Sequence, residues 1–266
     1  MEFLQAIFLG LLQGLFEWLP VSSQGQIMAL SMAFFGISSS QAARYAIMLH
    51  IGTLFSAIFY LRKDIAKVLA SKDVQTMKFL VIAVLATGVT GLPCYFILKK
   101  LIASESQYLV AIIGALLIAM GFLLLFVGFM KKTPQKGKKP NNKDAIITGL
   151  AQGLSVLPGI SRSGITVAAL LARKFDPKQA LKLSFLLSIP SIAIAELIFY
   201  AGEPFTIDLN AFAGMIAAFL TGLFLIHILI KAAEKINFAS FCIIFGLVYI
   251  SIALFDIIAI FNKFIS

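Results

Sequence analysis

A broken apolar segment occurs twice in this chain, and that repetition limits the fold more than any other feature. Residues 6–25 read AIFLGLLQGLFEWLPVSSQG and residues 145–164 read AIITGLAQGLSVLPGISRSG, with nine identities in twenty at a constant offset of 139. The shared positions are Ala6/Ala145, Ile7/Ile146, Gly10/Gly149, Leu11/Leu150, Gln13/Gln152, Gly14/Gly153, Leu15/Leu154, Ser22/Ser161 and Gly25/Gly164. In each copy proline, glycine and serine interrupt the apolar run. Irregular backbone at membrane depth is tolerated only where protein buries it or where it lines a cavity. The chain must therefore fold around both breaks, and paired broken segments in two halves of a membrane protein point to a binding site.

The bilayer itself follows from composition. With 60% hydrophobic residues, 13% charged residues and a mean hydropathy of +0.98, the chain is not that of a soluble protein. Six apolar runs are long enough, or nearly so, to span as helices: 45–61, 79–98, 108–130, 183–201, 209–230 and 238–261. The first is short and needs its flanks. Four others, 3–19, 27–35, 145–157 and 165–172, are too short, and on either side of a break they form two hairpins that enter and leave by the same side. The first run lacks a basic leader and carries Glu2 and Glu17, so it is expected to stay in the mature protein.

Net charge of +10 raises the question of nucleic acid, but topology accounts for it. Placing 62–78, 131–144, 173–182 and 231–235 in the cytoplasm puts 17 of the 22 Lys and Arg there, including KKTPQKGKK at 131–139. Both termini are then extracytoplasmic, and no nucleic-acid partner is expected. The expected fold is an all-α polytopic membrane protein, with six transmembrane helices and two re-entrant helical hairpins in an inverted-topology repeat. One integral membrane domain covers 1–266, with repeat 1 at about 1–130, a mobile basic linker at 131–144 touching anionic headgroups, and repeat 2 at about 145–262. Three spans follow each hairpin. An odd number inverts the second half, so the two tips can meet near the midplane. Cys94 and Cys242 have no metal or redox spacing and are expected to be packing residues.

Chemistry concentrates at the breaks. Gln13 and Glu17, four residues apart, share a helix face pointing toward Pro20. Ser22, Ser23, Gln24, Gly25 and Gln26 then precede a short helix expected to start near Ile27, and serines there are good caps. The second break places Ser161, Arg162, Ser163, Gly164 and Thr166 at the opening of its own helix. Helix N-termini offer free N–H groups to an anion, and arginine adds a planar cationic fork suited to phosphate. Gly and Ser can equally serve helix packing, and Glu17 with Arg162 can be a structural ion pair, but intramembrane charges are by default functional. His50, in LHIGT at 49–53, can line the first hairpin's cavity, whereas His227 lacks such a neighbourhood and Asp256 sits near the end of the last run. The ligand these groups suit is anionic at one end and apolar along the rest, a lipid phosphate or diphosphate. A serine hydroxyl, or a water it positions, would attack, with Glu17 as general base or holding a divalent cation.

QGLFEWLPVSSQGQ at 13–26 and LPGISRSGIT at 157–166 resemble the two signature regions of the BacA/UppP family of undecaprenyl-diphosphate phosphatases, and the likeness extends through LHIGTL and YLRKD. The family's first signature maps to Gln13 and Glu17 and its serine pair to Ser22 and Ser23, and the second maps to Pro158, Gly159, Ser161, Arg162, Ser163 and Thr166. The resemblance implies hydrolysis of undecaprenyl diphosphate to undecaprenyl phosphate in the bacterial cytoplasmic (inner) membrane, where the lipid carrier of cell-wall synthesis is recycled. It also implies dependence on Mg²⁺ or Ca²⁺, a site opening to the outer face, and bacitracin tolerance when abundant. Glu17, Ser23 and Arg162 are the expected catalytic residues, with Glu17 a candidate metal ligand. Gln13, Ser22, Gln26, Ser161, Ser163, Gly164 and Thr166 are expected at the substrate, with His50 as a further candidate. The family usually has histidine where this chain has Gln26, and glutamine cannot shuttle a proton near neutral pH. A positioning role at Gln26 is therefore expected, with Ser23 as nucleophile. The implied partners are a polyprenyl diphosphate and membrane lipids, and a homodimer is open. Inverted repeats with broken helices also suit a carrier or flippase of polyprenyl phosphate that hydrolyses nothing.

Overall fold

The computed structural model describes residues 2–103, 108–129, 133–135, 137–202, 208–232, 243–244 and 247–251, which are helical or irregular with no strand among them. Five helices are long and apolar enough to cross a membrane: α3 (Ser39–Leu69), α4 (Val74–Ala103), α5 (Leu109–Phe129), α8 (Pro177–Gly202) and α9 (Leu209–Ala232). The run 45–61, short by hydropathy alone, becomes a 31-residue helix. Its polar flanks continue the hydrogen-bond ladder in both directions, and the Ser38 side chain accepts from the Gln41 N–H at its start. The sixth run, 238–261, falls mostly outside the described residues, as do Cys242 and Asp256.

Four helices are short. The first break separates α1 (Phe3–Phe16) from α2 (Ser23–Phe35), and the second separates α6 (Asn142–Gly153) from α7 (Arg162–Ala172), with a 3₁₀ turn at Leu154–Val156. At 1.5 Å per residue the longest, α1, reaches only about 21 Å, against about 30 Å of hydrocarbon. Helix α2 begins four residues before the expected Ile27, because Ser22 takes a left-handed conformation (φ 59°) and turns the chain sharply there. Ser22 does not cap the helix it precedes.

The short helices pack crosswise between the halves. Helix α1 lies along α9, and its counterpart α6 lies along α4. Small residues allow the backbones this proximity. A Cβ on Gly10 would stand 2.1 Å from the Gly214 carbonyl oxygen, and one on Gly149 would stand 2.2 Å from that of Ala83. One turn on, Gly14 meets Thr221 and Gly222 as Gly153 meets Thr90 and Gly91. The same contacts thus recur in both halves, and the partner strings ThrGlyLeu at 90–92 and 221–223 are themselves a repeat. Because each half supplies the groove for the other's broken segment, both breaks are drawn toward the same region.

The base of the second hairpin is fixed by charge. Asp144, fully buried, accepts from Arg173 Nε at 2.6 Å and Lys138 Nζ at 3.1 Å, and forms a capping box with Asn141. Lys138 also donates to the Arg173 carbonyl at 2.6 Å, and the Gln135 N–H bonds the Lys174 carbonyl at 2.9 Å. The described part of the basic linker, expected to be mobile, is therefore tied down onto α7 and α8. Composition gave no sign of this, since the anchoring acid lies at the end of the linker among six basic residues.

Candidate functional site

The two tips interlock. The Gly159 N–H donates to Ser22 Oγ at 2.9 Å, and Ser163 Oγ donates to the Leu19 carbonyl at 3.0 Å. Gly159 has φ 106°, and a Cβ there would lie 2.7 Å from the Ile113 carbonyl oxygen, so both conformation and space require glycine. A Cβ on Gly25 would lie 2.8 Å from the Gly159 nitrogen, and one on Gly164 would lie 2.7 Å from Pro20 Cβ. The repeated Ser and Gly residues thus hold the tips against each other, with different bonds. Ser161 caps its own helix, accepting from the Gly164 N–H at 3.1 Å, while Ser22 reaches across.

At the junction stands Glu17, 5% exposed, with four polar neighbours shared between its two oxygens. Oε1 receives Arg162 Nη2 at 2.5 Å. Oε2 receives Gln13 Nε2 at 2.9 Å and Ser23 Oγ at 2.5 Å, and lies 3.2 Å from His50 Nε2. The helical spacing of Gln13 and Glu17 brings those two together as expected, and His50 joins them from α3. Its Nδ1 lies 2.5 Å from the Ala46 carbonyl oxygen, one turn back, which fixes the ring. Arg162 sits over the face of Trp18, its Cζ 5.5 Å from the ring. Trp18 in turn packs edge-on against Phe185, so the arginine is steadied by a fully buried aromatic pair.

A cavity of about 240 Å³ opens beside this junction. Glu17, Ser22, Ser23, Gln24, His50, Ser161 and Arg162 line one end, while Val84, Leu92, Leu98, Ile192, Ile194 and Phe199 line the rest. One end is polar and charged, and the walls from α4 and α8 are mostly apolar, with Thr87, Tyr95, Ser191 and Glu196 set among the apolar side chains. Helices α2 and α7 both begin at the polar end, so the positive ends of two helix dipoles are gathered there, with the Gly164 N–H of α7 already taken by Ser161. Arg162 uses one arm on Glu17, and its other nitrogen, Nη1, is buried with no hydrogen-bond partner. An unsatisfied cationic donor beside a cavity is a ready contact for a phosphate oxygen.

Residues 6–248 match the family described as Bacitracin resistance protein BacA. The chain belongs to the BacA family. Among its relatives, the protein named Undecaprenyl-diphosphatase from Methanococcoides burtonii is 38% identical over 254 residues, covering 91% of this chain and 95% of the relative. Proteins of the same name from Haloarcula marismortui and Methanothrix thermoacetophila are each 36% identical, covering 91% and 95% of this chain and 94% and 97% of the relatives.

Within this BacA chain, five of the residues expected at the substrate do not line the cavity. Gln13 stands behind Glu17, fully buried. Gln26 is turned away: its Nε2 donates to the Val21 carbonyl at 3.1 Å, and its Oε1 accepts from the Tyr249 hydroxyl. Thr166 Oγ1 bonds the Arg162 carbonyl at 2.8 Å and Ser184 Oγ at 2.7 Å. Ser163 and Gly164 face the opposite tip. These five residues are spent on building the junction, because the polar groups of a break buried in apolar surroundings must be satisfied internally.

Sequence reasoning also passed over Gln152, Ser191 and Glu196, all of which line the cavity. Gln152 is the repeat partner of Gln13, and its Nε2 donates to Ser191 Oγ at 2.7 Å and Thr87 Oγ1 at 2.9 Å. Glu196 is the only charged residue in the apolar run 183–201, a signal present in the sequence. His227 lies 3.3 Å from the Tyr60 hydroxyl and does not line the cavity.

Proposed function

We propose that this protein hydrolyses undecaprenyl diphosphate, or a polyprenyl diphosphate of the same kind, to the lipid monophosphate and inorganic phosphate. The observation that carries the reading is the unpartnered Nη1 of Arg162 beside the Glu17–Ser23 hydrogen bond, at the polar end of a cavity with apolar walls. Relatives named Undecaprenyl-diphosphatase, matching over nearly the whole chain, support the same activity, and none of those cited is named as a carrier.

In this reading Ser23 Oγ attacks the terminal phosphorus, and its proton passes to Glu17 Oε2, with which it is already hydrogen bonded at 2.5 Å. The bond from phosphorus to the bridging oxygen breaks, and the lipid monophosphate leaves. Water then attacks the phosphoserine, and the proton returns from Glu17 to Ser23 as inorganic phosphate departs. Arg162 Nη1 and the N–H groups opening α2 and α7 stabilise the equatorial oxygens. Gln13, His50 and the Arg162 Nη2 arm hold the Glu17 carboxylate in place, while Ser22 and Ser161 hold the tips.

A Mg²⁺ or Ca²⁺ ion would neutralise the charge of the diphosphate. Among the described residues, no group of three or more His, Cys, Asp or Glu could hold such an ion. The donor set still fits an ion shared with substrate, because Mg²⁺ is commonly bound by one or two carboxylates plus phosphate oxygens. Among the described residues, Glu17 and Glu196 are the carboxylates on the cavity wall.

The architecture we propose has six spans and two re-entrant hairpins related by inversion, with repeats at about 1–130 and 145–262. The basic segments face the cytoplasm, both termini lie outside, and the site opens to the outer face of the cytoplasmic membrane. The crosswise packing of α1 on α9 and α6 on α4 supports that arrangement. Purified protein given a prenyl diphosphate and Mg²⁺ should release phosphate, and Ser23→Ala and Glu17→Gln should abolish release. Folded wild-type protein that releases none with any divalent cation would refute the proposal.

A further inference from the structure

Glu196 projects from α8, six residues beyond Pro190, into the cavity that holds Glu17, His50 and Arg162. Its Oε2 is buried and has no hydrogen-bond partner. Leaving such an oxygen unpaired is costly, so its persistence in an apolar span calls for an occupant. Glu17 stands differently, because Arg162 is bonded to Oε1 while Gln13, Ser23 and His50 crowd Oε2. A cation on Oε2 would have to displace one of these donors, and one on Oε1 would stand beside the Arg162 guanidinium, which repels it. Gln13 Oε1 is also unpartnered, but Gln13 lies off the cavity wall.

Charge decides between the two carboxylates. Arg162 is balanced by Glu17, which leaves His50 as the other basic side chain on the described wall to set against a diphosphate, and an ionised Glu196 adds negative charge. A carboxylate and a diphosphate in one cavity repel unless a cation or proton comes between them. Resting on the diphosphate reading above, we infer that Glu196 is the carboxylate that holds the divalent cation accompanying the substrate. Glu17 serves Ser23 alone. The two acids thus divide the work: Glu17, engaged by donors on both oxygens, manages the serine proton, and Glu196, with a free oxygen, faces the metal.

Mn²⁺ binding to the full-length protein in detergent tests this, read by loss of the free-ion electron paramagnetic resonance signal, with a non-hydrolysable farnesyl methylenediphosphonate as second ligand. In wild type the analogue should strengthen Mn²⁺ binding. Glu196→Gln should weaken that binding by at least about tenfold, the loss that even removal of an outer-shell partner of a metal ligand causes. Binding of the analogue in EDTA should not weaken, since the variant removes a like charge. Glu196→Asp, which keeps the carboxylate, should retain more of the Mn²⁺ affinity, and thermal unfolding reports whether each variant is folded. Mn²⁺ affinity in folded Glu196→Gln within about twofold of wild type overturns the inference, leaving the Glu196 oxygen to a proton. Wild type that hydrolyses prenyl diphosphate yet shows no linkage between Mn²⁺ and analogue also overturns it, but spares the phosphatase reading. Wild type that neither binds the analogue nor hydrolyses the lipid takes both down.

Discussion

Arg162→Lys isolates what the arginine does beyond neutralising Glu17. The native guanidinium spans two tasks: Nη2 bonds Glu17 Oε1 at 2.5 Å, and Nη1 is buried and unpartnered. A lysine ammonium is one nitrogen and can keep the ion pair, but it cannot hold Glu17 and present a second fixed donor to phosphate. The side chains are 13% and 3% exposed, so water does not make up the difference. Losing one preorganised donor to the developing charge costs about 3 kcal/mol, or roughly 10²- to 10³-fold in kcat. The unfolding midpoint should change little, because the charge stays. Arg162→Ala should be slower still and also destabilised, by up to about 3 kcal/mol, since Glu17 is left buried without its main cation. Phosphate release from a prenyl diphosphate in detergent gives kcat and KM, and thermal unfolding gives stability. A kcat for Arg162→Lys within about threefold of wild type, under about 1 kcal/mol of barrier, would show that Nη1 is not a phosphate donor.

Gln26→His should leave kcat unchanged to within about threefold, because position 26 faces Val21 and Tyr249 rather than the cavity; a large rise in turnover would place that side chain in the chemistry. Gly10→Ala should destabilise by about 1–3 kcal/mol or abolish folding, since its Cβ would meet the Gly214 carbonyl at 2.1 Å. Gly128→Ala, with nothing within 4 Å, should be neutral or stabilising by up to about 1 kcal/mol, and equal unfolding midpoints for the two variants would contradict the close packing of α1 on α9. EDTA should stop phosphate release and either Mg²⁺ or Ca²⁺ should restore it; release that persists in chelator would remove the ion from the reaction. A cysteine at Lys139 should react with an impermeant thiol reagent only from the cytoplasmic side of oriented vesicles, and labelling from the opposite side would invert the proposed topology.

What the sequence made legible was whatever a local period or a repeated string could carry. The five described spans follow from apolar runs, and the short helices from runs interrupted by Pro, Gly and Ser. The meeting of Glu17 with Arg162, 145 residues apart, could be expected because the repeat put both in matching breaks. Which side chains face the cavity was not legible. Gln26 and Thr166 sit among cavity residues in sequence, yet their hydrogen bonds run to Tyr249 and Ser184, partners that only the packing reveals. Ser22 reads as a helix cap by residue type, but its left-handed backbone turns the hydroxyl toward Gly159 instead. Glu196 was legible in principle, as a lone charge in an apolar span, but it lies outside both repeated breaks.

The crosswise packing explains why the reactive groups are split between the halves. A single broken segment leaves its own turn unsatisfied in lipid, and the first short helix of each half packs chiefly on a helix of the other half. Exchanging grooves, α1 to α9 and α6 to α4, satisfies both and forces the two turns to share one pocket of backbone donors and acceptors. Once the tips bond through Ser22 to Gly159 and Ser163 to Leu19, neither can shift alone. That frees the remaining positions from structural duty in different ways. The first tip carries an acid next to a serine, and the second carries an arginine whose spare nitrogen has no structural partner. Placed in opposite tips, the acid and the arginine make their ion pair across the junction, clamping it shut, and leave one arginine nitrogen over for a ligand.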